Sequence, residues 1–181
     1  DRQLGKFYGN GVSGRYLNCR LENIDPRWLG PGQPGIEYNL TFFADDPYWY
    51  AESATSSNEA FTSSPHAWSH TNSGDVAVYP VITITTGATT SFANLTFTNL
   101  TTVKAWTFAG TIAAATSLVV DPSQFTIVNN GTSDPNSFTG TLLSQFVKGS
   151  NSLSIAGTII GANGGTVNKN YRQRFYGPAF T

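Results

Sequence analysis

Two histidines, His66 and His70, have the spacing that comes nearest to a metal site in this sequence. On a helix, imidazoles four residues apart face one side and supply half of the ligands of a zinc ion. Pro65 precedes the pair, Ser69 lies between them, and no Glu-x-x-His motif completes the ligand set. We therefore predict two histidines in a surface loop, with no metal and no cofactor.

Carboxylates are the second group of residues that could do chemistry. Asp45, Asp46 and Glu52 could offer oxygen ligands to calcium, but their spacing matches no calcium-binding loop. A glycosidase needs two carboxyl groups that face one cleft. The acids of the second half all stand at predicted turns: Asp75, Asp121 and Asp134. The sequence thus predicts no catalytic pair, and we expect a protein that is not an enzyme.

Four sites match the glycosylation acceptor pattern Asn-x-Ser/Thr. They begin at Asn39, Asn94, Asn99 and Asn130. A chain this rich in Asn, Ser and Thr produces such matches by chance, and we interpret them so.

Aromatic side chains offer a different kind of site, a binding surface. The candidates are Tyr48, Trp49, Tyr50 and Trp68. Aromatic faces stack on the apolar face of a sugar ring, and they are also enriched where protein surfaces meet. We interpret these four residues as an interface between domains or between neighbouring subunits. Sugar stacking is the alternative.

The strands that must position these residues are clearest at 81–85, where every residue is β-branched. Ile82 and Ile84 share one face of this segment and Thr83 and Thr85 the other. Pro80 cannot donate a ladder hydrogen bond, so it belongs at the start of the strand or on a sheet edge.

Similar short segments recur to the end of the chain, and turn residues separate them. They cover 92–100, 105–112, 117–120, 125–128, 138–143, 152–160 and 167–176. Asn130-Gly131 predicts a type I′ turn, because both residues tolerate positive φ. Alternation places six side chains in the interior: Ile82, Ile84, Leu95, Phe97, Leu153 and Ile155. Many short strands at this spacing indicate an antiparallel β-sandwich or barrel.

The first half of the chain predicts a smaller β-structure. Segments 15–22 and 36–43 alternate as strands, and Asp25-Pro26 with the Gly/Pro-rich 29–35 predicts a long turn between them. This is the pattern of a β-hairpin with a long connection. We expect a domain boundary in the polar stretch that follows, with residues 1–51 as the N-terminal portion, 52–74 as a linker or edge segment, and 75–181 as the second domain.

Composition excludes several classes of protein. The formal net charge is −1 and 12% of residues are charged, so there is no basic surface for nucleic acid. No apolar run approaches the roughly 20 residues of a membrane-spanning helix. Cys19 is the single cysteine, which leaves no intrachain disulfide. Methionine is absent even at position 1, from which we expect a truncated or processed N-terminus.

In the order of these segments, the second half resembles the C-terminal domain of siphophage distal tail proteins. The resemblance rests on a Pro-initiated strand, an apolar strand that ends in Asp, and a Gly-Ser-Asn turn before another apolar strand. These segments lie at 79–84, 94–99, 106–110, 117–121, 129–131, 146–153 and 171–175. Residues 36–50 are similar to the end of the family's N-terminal domain, where a strand runs into an aromatic element that bridges to the C-terminal domain.

The resemblance implies an all-β protein, with a jelly-roll, galectin-like C-terminal domain after a small N-terminal portion that contains the hairpin. It implies a non-enzymatic virion protein that joins the tail tube to the tail tip or baseplate during host attachment. Such proteins assemble as rings, commonly hexamers, and contact the tail tube, the tape measure, and tip or receptor-binding proteins. The alternative function is a carbohydrate-binding module for a host cell-wall or surface polysaccharide.

Overall fold

The structure is a computed structural model that describes residues 5–8, 14–32 and 35–177. It is built of antiparallel β-strands, with one 3₁₀ turn at Pro135–Ser137, so the predicted all-β class is confirmed. The chain forms two compact units. Unit 1 comprises Asp1–Glu52 and Phe175–Thr181, and unit 2 comprises Ser53–Arg174.

The strands are numbered in chain order. In the first stretch they are β1 (Gly5–Phe7), β2 (Arg15–Trp28), β3 (Ile36–Phe43) and β4 (Trp49–Ala51). They continue as β5 (Thr55–Phe61), β6 (His66–Asn72), β7 (Val81–Thr86), β8 (Ser91–Asn99), β9 (Lys104–Ile112), β10 (Ser117–Asp121), β11 (Thr126–Asn129) and β12 (Thr132–Ser133). The last are β13 (Phe138–Gly140), β14 (Gly149–Ile160), β15 (Gly165–Tyr171) and β16 (Arg174–Phe175).

Unit 2 is a jelly roll. One sheet contains the strand order β5-β15-β7-β10 and the other the order β6-β14-β8-β9. Strands β5 to β8 alternate between the sheets, β8 and β9 form a hairpin within the second sheet, and β10, β14 and β15 lie in the first, second and first sheets, which is the arrangement of the eight-stranded jelly roll. β11 and β12 extend the first sheet beyond β10, and β13 extends the second beyond β9. The predicted sandwich is confirmed, and its topology is now defined.

The core of unit 2 lies between the two sheets. All six residues predicted to face inward are buried, and none is more than 2% exposed. A row of aromatic rings crosses the inner face of the second sheet, with Phe97 stacked on Trp106 at 5.4 Å between ring centroids and Trp106 stacked on Phe138 at 5.5 Å. Trp68 meets the other side of Phe97, edge to face, at 6.2 Å.

A bulge in β8 changes the predicted alternation there. Strict period two would place Phe92 and Leu95 on opposite faces, yet both are fully buried. The register with β9 shifts between Ala93 and Leu95, and Asn94 has a φ of 51°. An extra residue in left-handed conformation turns the strand so that both apolar side chains reach the core.

The Asn130-Gly131 turn is as predicted. Their φ angles are 50° and 78°, and the flanking Asn129 and Thr132 pair directly, as a two-residue type I′ hairpin requires.

Residues 52–74, expected as a linker or an edge segment, hold β5 and β6, which are edge strands of the two sheets. The jelly roll thus takes in residues that we had placed before the second domain. Both strands are rich in Ser, Thr and Asn because only one side of each faces the core, so their apolar signal is weak.

Unit 1 contains a sheet with the order β1-β2-β4-β16, and β3 pairs with the far part of β2. The predicted hairpin is present, but β2 continues to Trp28 through Asp25-Pro26, which we had expected to turn. β3 alone pairs with that part of β2 in the described residues, and proline is tolerated on such an edge. Residues 33 and 34 of the predicted turn lie outside the described ranges.

The described residues contain no helix long and apolar enough to cross a membrane.

Candidate functional site, an exposed apolar ribbon

The longest strand pair of unit 1 forms a two-stranded ribbon, which we define as residues 20–28 of β2 with β3. Its register runs from Arg20 opposite Phe43 to Trp28 opposite Ile36. A bulge between Leu21 and Asn23 shifts the pairing by one residue near the base of the ribbon. Because directly opposed residues share a face, the register decides which side chains lie together.

One face of the ribbon is apolar throughout. Opposed pairs on this face are Leu21 with Phe42, Ile24 with Leu40, Pro26 with Tyr38, and Trp28 with Ile36. The other face carries Asn23 with Thr41, Asp25 with Asn39, and Arg27 with Glu37. This amphipathic pattern is typical of a sheet that covers something on one side.

Among the residues of unit 1 that the structure describes, none covers this apolar face over most of its length. Its large side chains are between 40% and 77% exposed, with Trp28 the most exposed. Isolated two-stranded hairpins are marginally stable in water, and contiguous apolar patches on soluble proteins mark contact surfaces. The ribbon is therefore the strongest candidate in unit 1 for a surface that another molecule covers.

The base of the apolar face continues toward Trp49, one of the predicted interface residues. Phe7, Leu17 and Trp49 are opposed across β1, β2 and β4. The Phe7 ring lies 5.1 Å from Phe42 and 6.5 Å from Trp49, measured between centroids. Trp49 is half-buried, so part of its ring is still accessible beside the ribbon.

Tyr48 and Tyr50 have other partners in unit 1. The Tyr50 ring stacks on Tyr16 at 5.9 Å, and Tyr48 meets Tyr176 edge to face at the same distance. The Asp46 carboxylate accepts hydrogen bonds from the Tyr50 hydroxyl and from the Tyr48 backbone N–H. Asp46 therefore holds the aromatic segment in place, which is the turn chemistry expected after Asp-Pro.

Trp68 lies in β6 of unit 2. In addition to Phe97, its ring stacks on His66 at 5.6 Å. Its assignment to an interface stays a prediction, as does that of Tyr48, Trp49 and Tyr50.

A second feature, the edge cluster, lies inside unit 2, where β5 and β6 meet. It consists of Ser57, Glu59, His66, Trp68, His70, Lys169 and Tyr171. These side chains are on the inward-facing positions of β5, β6 and β15. The histidines are thus half-buried strand residues, and the prediction that they lie in a surface loop was wrong.

The contacts of the edge cluster join three strands. His66 Nε2 lies 3.1 Å from Glu59 Oε1. His70 Nε2 lies 2.9 Å from the Tyr171 hydroxyl, and its Nδ1 lies 3.5 Å from Ser57 Oγ. These contacts bring β5, β6 and β15 together through polar side chains.

A buried cation lies in the middle of the edge cluster. Lys169 is 2% exposed, and its ammonium is 5.3 Å from the centroid of the Trp68 ring. Burial lowers the pKa of Lys169, and the nearby Glu59 carboxylate partly opposes that shift. Burial also lowers the pKa of His70, and the charge of Lys169 lowers it further. Burial raises the pKa of Tyr171.

The three acids of the second half that were considered for catalysis have structural partners. Asp75 accepts a hydrogen bond from Lys148 at 2.9 Å, Asp121 accepts from Ser123, and Asp134 accepts from Ser137. In the part of the chain that the structure describes, no three His, Cys, Asp or Glu side chains gather as a metal site.

Sequence reasoning missed the ribbon as a surface because it placed a turn at Asp25-Pro26. Part of the signal was present, since Ile24, Pro26 and Trp28 alternate with polar residues on both sides of that turn. The bulge between Leu21 and Asn23 shifts these residues out of phase with Leu17, Cys19 and Leu21, and the sequence pattern did not show the bulge. The edge cluster was missed because the histidines were read without the lysine and tyrosine of β15, which lie far away in sequence.

Comparisons with known proteins find similarity at the level of the fold. No protein-family model matches the sequence, and no curated protein matches it. The fold is similar to the crystal structure of SPP1 Dit (gp 19.1), described as a paradigm of the hub adsorption apparatus in phages that infect Gram-positive bacteria. The TM-score is 0.64 at 16% identity, over 88% of this chain and 60% of that chain. The chain thus spans less than two thirds of that protein, and at this identity the likeness shows the fold.

Proposed function

We propose that this chain is a structural, non-enzymatic component of a phage tail, an adaptor of the distal tail type. The similarity of fold to SPP1 Dit over 88% of the chain is the observation that carries this proposal. The finer parts of the proposal are a place at the tail tip or baseplate of the virion and a role in host attachment. The galectin-like character of the jelly roll belongs to the same proposal.

The exposed ribbon supports the assembly that such a role needs. An adaptor works through contacts with copies of itself and with other tail proteins, so it needs a surface that is incomplete in the single chain. Rings form when one surface patch docks on a different patch of the next subunit and the rotation closes. We infer that the apolar face of the ribbon lies in such a contact, in a homo-oligomeric ring that is commonly a hexamer in this family.

A matched pair of ribbon variants tests this proposal. W28S/Y38S removes two rings from the apolar face, and R27S/E37S changes the opposed pair on the polar face at nearly the same height. We expect the full-length wild type and R27S/E37S to form an oligomer at micromolar concentration, measured by light scattering after size exclusion. W28S/Y38S should shift toward smaller species, because truncation of buried interface aromatics costs about 2 kcal/mol or more each.

Binding to isolated tail tubes provides the functional readout. Wild type should bind the tubes, and W28S/Y38S should bind them more weakly than R27S/E37S does. A full-length protein that stays monomeric and never binds tail tubes would contradict the adaptor role. If W28S/Y38S and R27S/E37S assemble and bind tail tubes equally well, the adaptor role still stands, but the apolar face of the ribbon is not part of the contact.

The alternative, a carbohydrate-binding module, is supported by the jelly-roll fold and by the half-buried rings of Tyr48, Trp49 and Tyr50. Its partner would be a host cell-wall or surface polysaccharide. A pull-down with purified cell walls separates the two functions. If Trp49→Ala abolishes binding to cell walls and leaves the oligomer intact, the site belongs to the carbohydrate function.

A further inference from the structure

We propose that the edge cluster is an acid-sensitive clamp, in which protonation of His70 loosens β5 and β6 from each other. This inference concerns unit 2 alone and does not depend on the role of the protein in a phage tail.

Side chains hold this edge of the jelly roll closed. β5 pairs with β15 in one sheet, and β6 pairs with β14 in the other, so no backbone ladder joins β5 to β6. The contacts between them in the edge cluster are His70 with Ser57 and His66 with Glu59. Edge strands with few apolar contacts are where local opening begins.

The charges that face His70 decide what a proton does there. β15 contributes the buried Lys169 ammonium and the Tyr171 hydroxyl. β5 contributes Glu59, whose carboxylate is already 3.1 Å from His66 of β6. On the remaining side, the Phe146 ring packs at 5.2 Å and carries no charge. A protonated His70 is therefore a second cation beside Lys169 in a half-buried site, where like charges repel strongly.

The two histidines differ in this respect. A proton on His66 faces the Glu59 carboxylate, whereas a proton on His70 faces Lys169. Acid therefore acts on the clamp through His70.

The direction of the pH effect follows from the lowered pKa of His70. The open edge binds the proton with an ordinary histidine pKa of about 6.5, and the closed edge binds it only at lower pH. The stability of the closed edge is therefore complete above pH ~6.5 and is lost as the pH falls toward the lowered pKa. One proton per opening event gives at most about a tenfold loss of protection for each pH unit in that window.

Amide hydrogen exchange on the full-length protein at pH 7.5 and pH 5, corrected for the intrinsic exchange rates, tests the clamp. In wild type, the protection of β5 and β6 should fall at pH 5 relative to that of β8 and β9 in the same molecule. H70Q keeps a neutral polar side chain and should lose this pH effect. H66Q is the matched control, four residues along the same strand, and should keep it. K169M removes the facing cation and should reduce it.

Two results would overturn the clamp. One is unchanged relative protection of β5 and β6 between the two pH values in wild type. The other is a pH effect in H70Q as large as in wild type. If H70Q does not fold, NMR titration of the histidine imidazoles in the wild-type protein tests the clamp instead. The clamp requires that His70 titrates below pH ~6.5 and that β5 and β6 amides shift with it, and titration at or above that value contradicts it.

Discussion

At the scale of single residues, buried asparagines tie the loops of unit 2 to the ends of its strands. Asn151 is fully buried, and its side chain exchanges hydrogen bonds of 2.9 Å with both the N–H and the C=O of Val147. Asn99 donates to the Gln145 carbonyl at 2.7 Å, and Asn72 donates to the Phe146 carbonyl at 3.2 Å. These amides satisfy loop backbone groups that would otherwise be buried without partners. Asn99, which begins one of the four matches to the glycosylation pattern, is thus buried in the folded interior.

The Asn151 network leads to a stability prediction. Asn151→Ala leaves the Val147 backbone groups without their side-chain partners, and buried unsatisfied groups cost about 1–3 kcal/mol each. We expect a clear loss of stability in urea unfolding monitored by tryptophan fluorescence. The control is Asn168→Ala, because Asn168 bonds to Ser56 and Asn58 at an exposed position. Equal stability of the two variants would contradict the structural role of Asn151.

Core residues lead to a second prediction at this scale. Ile84 and Phe97 are 0% exposed, so replacement of either by Ala removes buried apolar atoms and leaves a cavity. The expected cost is about 2–5 kcal/mol in the free energy of unfolding. Thr85→Ala is the control, since Thr85 is exposed on the same strand as Ile84. If the core variants unfold at the wild-type temperature, the assigned strand faces are wrong.

At the scale of elements, a tight turn is determined by the conformation of its own residues, whereas the apolar face of a strand pair is determined by the register between the two strands. The β11–β12 hairpin depends on local conformation, because Asn130 and Gly131 both take positive φ. The ribbon depends on the register between β2 and β3, which brings Leu21, Ile24, Pro26 and Trp28 to the same face as Ile36, Tyr38, Leu40 and Phe42. A ribbon of this kind gains its full stability when a partner covers that face.

The hairpin turn allows a clean test of backbone conformation. A Cβ added at Gly131 would meet nothing within 4 Å, so Gly131→Ala changes conformational preference and adds no clash. We expect a loss of about 1 kcal/mol, because the left-handed region is unfavourable for alanine. Gly131→Asn should be milder, since Asn tolerates that region. Thermal melts of the three proteins should rank wild type first and alanine last, and any other order contradicts a type I′ turn.

At the scale of the whole molecule, unit 2 has a complete core, whereas unit 1 exposes an apolar face. The core of unit 2 fills the space between its two sheets with fully buried aliphatic and aromatic side chains. This difference predicts that the two units respond differently to loss of assembly. Unit 2 should stay folded in a monomer, and unit 1 should gain stability from a partner.

Trp49 tests this difference between the units. Trp49→Ala removes a half-buried ring next to Phe7 at the base of the ribbon, and truncation of such an interface residue costs roughly 2–4 kcal/mol. We expect weaker assembly in analytical ultracentrifugation, with the near-UV circular dichroism of unit 2 retained. Tyr79→Ala, at an exposed aromatic residue of unit 2, is the control and should assemble as wild type does. Assembly that is unaffected by Trp49→Ala would place the interface elsewhere.

Much of the fold could be predicted from local pattern. The β-branched alternation at 81–85 placed Ile82 and Ile84 in the core, and Asn130-Gly131 defined its turn, because side-chain period and φ preference are properties of neighbouring residues. The many short alternating segments and the turn residues that separate them were sufficient for the all-β class. Residues 52–74 were expected only as a linker or an edge segment, without defined strands, because the polar sequences of β5 and β6 carry little of this signal.

The strand order, the apolar face of the ribbon and the edge cluster depend on pairing between residues that are far apart in sequence. The jelly-roll order follows from which strands hydrogen-bond, and no local pattern encodes that β15 lies between β5 and β7. The register of β2 with β3 created the apolar face of the ribbon. Pro26 could stay in a strand because, within the described residues, only one side of that strand is paired there. Lys169 lies near Trp68 and His70 because β15 and β6 pack together in space. The two strands are about a hundred residues apart in sequence, so no local pattern could predict this proximity. Their chemistry depends on burial and on facing charges, both of which arise when the sheets close on each other.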